Sequence, residues 1–214
     1  MSGSTPSMPA SSWLERRLGR FSLSGKVGLM GTVLLALSLM LAALLMGLHW
    51  QALERAEREQ LGVDAARPMI GLIDAVQRHR GQRSRWLNGE QRAVGDVAAM
   101  RTRVDQAIAQ ADAGLGILVD TLAMREAWAD LKVRWGAMRE ARPSAAEDFA
   151  QHSAWIDDAI AFIVLAADRS GLSFHASVDA YYLKEVVVFG LPSLIESAGV
   201  ARGLSAGLAA RGQL

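Results

Sequence analysis

The chain contains no cysteine, which excludes a disulfide scaffold, a thiolate metal site and a cysteine nucleophile. Aromatic residues make up only 6% of the 214, and β-branched runs are scarce, so a large sheet is not expected. Five prolines are too few for a disordered chain. Charge of one sign is missing too. The 23 Lys and Arg stand against 22 Asp and Glu, a balance of +1 that offers no basic face for nucleic acid and no acidic tail. There is no phosphate loop ending in Gly-Lys-Ser/Thr, no nucleophile elbow and no His-Glu-x-x-His, so neither enzymatic activity nor a cofactor is expected. The four histidines, His49, His79, His152 and His175, are scattered without metal-ligand spacing. Glu147-Asp148 and Asp157-Asp158 read as solvated acidic faces, because adjacent positions on a helix point apart.

What the chain has in excess is apolar. Hydrophobic residues reach 51% and the mean hydropathy is +0.16. The surplus is concentrated between Val27 and Leu48, where no residue is charged. As a helix this run extends about 33 Å, against a hydrocarbon core of about 30 Å. It ends in Leu48-His49-Trp50-Gln51 without the small-residue cleavage pattern of a signal peptide, so an uncleaved anchor is expected. Arg16, Arg17, Arg20 and Lys26 precede it against Glu15 alone; Glu54, Arg55, Glu57, Arg58 and Glu59 follow it. The positive-inside rule then predicts a cytoplasmic N-terminus and an extracytoplasmic remainder, with Trp50 at the outer interface. The predicted organisation is a disordered leader over 1–22, a transmembrane anchor over 23–50 and a helical domain over 51–214. The apolar stretch from Val186 to Ala210 does not qualify as a second span, since it carries Glu196, Arg202 and Pro192.

Residues 51–214 hold 19 basic and 21 acidic residues, and their apolar pattern is helical. Val94, Val97, Val104, Ile108, Ala111, Leu115, Leu118 and Leu122 form one stripe, interrupted by Arg101. Trp128, Leu131, Trp135 and Met138 form a second, and Phe149, Ile156, Ile160 and Ile163 a third. Pro68 suits the first turn of a helix, and Ser144 with Glu147 has capping-box spacing. Helices are predicted near 27–64, 67–88, 92–122, 124–141, 145–167 and 178–212, the last kinked at Pro192. The predicted class is all-α, one transmembrane helix followed by an antiparallel helical bundle.

Arginine is the residue type with a local excess. Arg78, Arg80, Arg83, Arg85 and Arg92 stand against Glu90 in a near-neutral domain. Arg80 and Arg83 share a helix face. Arg80-Gly81 with Ser84 and Leu87-Asn88-Gly89 is echoed by Arg202-Gly203 with Ser205, Leu208 and Arg211-Gly212. Two such helices facing each other supply converging planar forks for a small anion or carboxylate. The alternative for Arg80 and Arg202 is a buried ion pair with an acid such as Asp74, Asp179 or Glu196. Tyr181 and Tyr182 are either core residues with one bonded hydroxyl or a cavity wall offering a hydroxyl to a ligand. Trp86 is placed to stack on a guanidinium or to pack in the core.

The string from Val76 to Ser84, with Leu87-Asn88-Gly89, resembles a helix of the N-terminal sensor region of bacterial methyl-accepting chemotaxis proteins and some membrane-bound diguanylate cyclases. Asp179-Ala180-Tyr181-Tyr182-Leu183, then Leu191-Pro192-Ser193-Leu194-Ile195-Glu196 and Gly199-Val200-Ala201-Arg202-Gly203-Leu204, resembles the partner segment. Leu23-Ser24-Gly25-Lys26 also fits. Phe174-His175-Ala176-Ser177 stands where such sequences often have Asp-Pro-Asp, and Lys184 where they are apolar. These receptors are similar in turn to the nitrate/nitrite-sensing helical domain, with ligand arginines on facing helices. The resemblance implies Arg80 and Arg202, together with Arg78 and Arg83, as ligand residues. It implies a periplasmic, homodimeric input module of the bacterial inner membrane that senses a small anion or carboxylate. A chemoreceptor is the first expectation; the input half of a diguanylate cyclase and a ligand-free tethered interaction bundle are the alternatives. A return span and an output domain are expected beyond what this sequence holds.

Overall fold

The computed structural model describes residues 22–173, 182, 186 and 190–210, and among these every regular element is a helix. Six are defined: α1 Leu23–Leu87, α2 Ala93–Leu115, α3 Leu118–Thr121, α4 Arg125–Glu140, α5 Ala145–Ser170 and α6 Leu191–Ala210. The leader, Tyr181, the Phe174–Ser177 string and most of the predicted helix upstream of Leu191 lie outside the described residues. The chain divides into two compact units, Met1–Glu54 and Arg55–Leu214.

In the first unit, α1 is long and apolar enough to cross a membrane. An 18-residue window within it has a mean hydropathy of 2.4, with none of it buried. Its leucines, methionines and valines stand exposed, which in water leaves a large apolar surface uncovered.

The second unit begins with the rest of α1 and is built as an up-and-down bundle. The sequence pattern opens a new helix at Pro68, but α1 runs through it unbroken. A proline removes one backbone donor and crowds the preceding turn. Here Ala65, Met69 and Leu72 are buried on either side of it, and its ring lies against Gly114, where a Cβ would sit 3.4 Å from both Cβ and Cγ. Packing on both flanks outweighs the local preference. The predicted helix over 92–122 is interrupted instead. Gly116 takes φ 34°, a conformation glycine tolerates, and divides α2 from the single turn α3. Leu115 and Leu122 stay buried on either side of the break, whereas Val94, at the start of the same stripe, is exposed.

Cross-helix pairs fix the directions. Trp128 Nε1 donates to Asp112 and Trp135 Nε1 to Asp105, so α2 and α4 are antiparallel. Gly62 faces Ser170 and His79 faces His152, so α1 and α5 are antiparallel as well. Trp155 Nε1 donates 2.8 Å to the carbonyl of Leu131, joining α5 to α4. The tryptophan stripe of α4 is buried throughout, as are Ile156 and Ile163 of α5; Ile160 and Phe149 are half-buried. Ser144 and Glu147 form the expected capping box at the start of α5. Asp148 departs from expectation: it is buried rather than solvated, because an arginine of α1 meets it.

α6 lies against α1 and α5 through a row of glycines one turn apart. A Cβ on Gly199 would come within 3.1 Å of Arg80 Nη2, on Gly203 within 2.6 Å of Phe149, and on Gly207 within 2.9 Å of Ser84 Oγ and Asn88 Nδ2. Pairing of 80 with 199, 84 with 203 and 88 with 207 shows that α6 runs in the same direction as this part of α1.

Candidate functional site

The arginine-rich turns of α1 are where α2, α5 and α6 meet it. Arg78, Arg80, Arg83 and Arg85 fall at different angles around the helix, and each finds a different environment.

Arg80 points into the bundle and is 1% exposed. It makes a close bidentate ion pair with Glu196 of α6, with Nη1 on Oε1 and Nη2 3.2 Å from Oε2. Nη1 also donates to Ser153 Oγ at 2.8 Å, and the guanidinium lies 4.8 Å from the centre of the Phe149 ring. Gln77 Nε2 donates 2.8 Å to the second carboxylate oxygen. Glu196 is one of the acids that spacing alone allows as a partner. In this structure its carboxylate fills the fork that the resemblance assigns to a ligand.

Arg83, also buried, pairs closely with Asp148 of α5. From Asp148 a polar chain continues inward. His152 Nδ1 is 2.8 Å from the carbonyl oxygen of Asp148, which can only accept, so Nδ1 carries the proton. His152 Nε2 then accepts from His79 Nδ1 at 2.9 Å. Both rings are buried and lie in edge contact with Trp135. Burial, the second imidazole and the charges of Arg83 and Arg101 push the pKa of His79 down to about 3. Burial also lowers that of His152, against the pull of Asp148. Two histidines that look scattered in sequence therefore form one neutral, hydrogen-bonded pair, 73 positions apart.

Arg78 faces outward and pairs with Asp74 one turn earlier on the same helix, at 2.8 Å. Across from it stands Arg202 of α6, exposed. Both line a cavity of about 360 Å³ bounded by α1, α2 and α6, to which Arg85 and Arg103 also contribute, along with Gln77 and Gln82. Arg85 is closely paired with Glu90. Arg103 and Arg202 have no acidic partner among the described residues. No family model, curated protein or solved structure matches the chain.

Of the residues singled out from sequence, the structure thus brings Arg78 and Arg202 to one cavity and turns Arg80 and Arg83 to internal acids. Tyr182 is exposed, and Tyr181 lies outside the described residues. Trp86 is half-buried, with the Arg83 guanidinium 5.8 Å from its ring centre. Sequence reasoning misses Arg103, since it lies on the polar side of the α2 stripe with nothing local to distinguish it. The pairing of His79 with His152 carries no sequence signal at all, because it depends on the α1–α5 register. Among the described residues no group of three or more His, Cys, Asp or Glu is arranged to hold a metal ion.

Proposed function

We propose that the chain is the membrane-anchored, periplasmic sensory input module of a bacterial signal-transduction receptor, in first place a chemoreceptor, and that it binds a small anion or carboxylate. The observation that carries this reading is the α1–α2–α6 cavity. Arginines from three helices line it, two of them without acidic partners among the described residues, in a domain that is otherwise close to neutral. Uncompensated guanidinium groups on separate helices attract an anion and, once bridged by it, favour one packing of those helices over another.

Arg80 has a different part in this reading. It is a positioning residue that seats α6 through Glu196, so that Arg202 faces Arg78. Because α1 carries both the arginines and the apolar span, a shift of α6 against α1 is a shift against the helix that enters the membrane. The bound state is selected by its differential affinity for the two packings. Dimerisation and the class of output, chemotactic or cyclase, belong to the same proposal.

One observation favours the ligand-free bundle as a second reading: the forks of Arg80 and Arg83 are already engaged by internal acids. Thermal melts of the full chain in detergent separate the two. Against a panel of small inorganic anions and carboxylates at equal ionic strength, a sensor gains about 2.7 kcal/mol from a ligand at a hundredfold excess over its dissociation constant. The Arg103→Ala/Arg202→Ala variant loses that gain. Identical melts for both proteins across the whole panel exclude the sensor and leave the tethered bundle.

A further inference from the structure

A second arginine-lined cavity lies on the opposite side of the α1 arginine turns, between α1, the first turns of α2 and the loop that joins α4 to α5. Its volume is about 410 Å³, within the range of small-molecule sites. Its polar wall consists of Arg83, Arg101, Arg139, Arg142, Glu140 and His79.

The charges of this wall do not cancel. Among the described residues Glu140 is the only carboxylate on it, and Arg139 holds that carboxylate at 3.0 Å while also reaching Asp105. Arg83 is neutralised by Asp148. Arg101 and Arg142 have no acidic partner among the described residues. His79 adds no charge at neutral pH, since burial and the neighbouring arginines hold it far below its ordinary range. Two guanidinium groups without an acidic partner among the described residues, those of Arg101 and Arg142, therefore remain for a guest.

The rest of the wall is apolar. Leu87 and Val94 line it with Val97 and Pro143, and Trp86 supplies an aromatic face. A fully hydrated inorganic ion gains little from such surface, whereas a short hydrocarbon body between two carboxylates gains from both parts of the wall. Arg101 also finds its use here. It is the one charged interruption of the apolar α2 stripe, and it opens onto this cavity rather than onto an acid.

We infer that this cavity is a second ligand site, specific for a small organic dicarboxylate, with Arg101 and Arg142 binding the two carboxylates. It is distinct from the α1–α2–α6 cavity, because neither Arg78 nor Arg202 lines it.

Arginine-selective labelling of the full chain in detergent tests the assignment site by site. The protein is treated with phenylglyoxal in succinate, in sulfate and in chloride at equal ionic strength, and modification is read by peptide mass mapping. Near-saturating succinate slows labelling of Arg101 and Arg142 about tenfold, as expected when about nine-tenths of the sites are occupied. Labelling of the exposed Arg67 is unchanged. Arg101→Gln, at an exposed position, abolishes succinate protection at Arg142 without altering the melt. Labelling of Arg101 and Arg142 that is as fast in succinate as in chloride overturns the site. Equal protection by sulfate overturns the dicarboxylate assignment. Arg103 and Arg202 report on the other cavity in the same maps, so the two sites fail or stand independently.

Discussion

Burying two imidazoles in contact makes the bundle sensitive to mild acid. In the unfolded chain His79 titrates near 6.5, whereas in the fold its pKa is pushed down to about 3 and that of His152 is lowered as well. Between those values the unfolded chain takes up protons that the folded chain refuses. Stability is therefore full above pH 6.5 and falls as the pH drops below it, by up to about 1.4 kcal/mol per pH unit for each histidine. Glu90, Asp112 and Glu147 are held below their ordinary values and weaken the fold only at lower pH. Burial raises the pKa of Asp157, which acts in the opposite sense as the pH falls, so the histidines are isolated by comparing variants in urea between pH 7 and pH 5. The wild type loses stability over that interval and His79→Gln loses distinctly less; equal slopes would refute the assignment. None of this is legible in the sequence, because a neutral histidine pair is made by register between α1 and α5 and leaves no trace in either helix alone. Arg80 is half legible. Its type and its neighbours mark it, and Glu196 is among the acids open to it, but only the packing of α6 chooses between acid and ligand.

At the scale of helices, periodicity finds what core packing dictates and misses what local exceptions decide. The α4 tryptophan stripe and the α5 capping box are as the spacing requires, since a buried face and a helix start are both written locally. Pro68 and Gly116 mislead in opposite senses. The proline is held inside α1 by buried neighbours on both sides, and the glycine ends α2 within an apolar stripe that continues past it. The seating of α6 is an element-scale property with its own test. Gly203 lies where a Cβ would press on the Phe149 ring at 2.6 Å. Gly203→Ala is expected to cost about 1–3 kcal/mol by overpacking. Faster hydrogen exchange should appear in α6 before α4 or α5. Unchanged exchange in α6 would show that the close approach does not hold the helix down.

At the scale of the whole chain, the division into an apolar helix and a polar-surfaced bundle is legible from composition alone, because a charge-free stretch of this length is what a hydrocarbon core demands and water does not. Orientation follows from the charges that flank it, under the proposed function. Alkaline phosphatase fused after residue 214 is expected to be active, and a cytoplasmic reporter at the same junction silent. A well-expressed but inactive phosphatase fusion would reverse the topology. The chain's net charge is the least informative whole-molecule number. A balance of +1 hides two clusters of arginine on opposite sides of one helix, each lining its own cavity.

The glycine row of α6 has a further consequence. Gly199, Gly203 and Gly207 offer the same shallow notch at three successive turns, whereas Glu196 occurs once. The notches recur every four residues, about 6 Å along the helix, so displacing α6 along α1 by one repeat would present a fresh notch to the side chains of α1 and remove the carboxylate from Arg80. The glycine row alone fits more than one register, and Glu196, the acid that α6 brings to Arg80, selects among them.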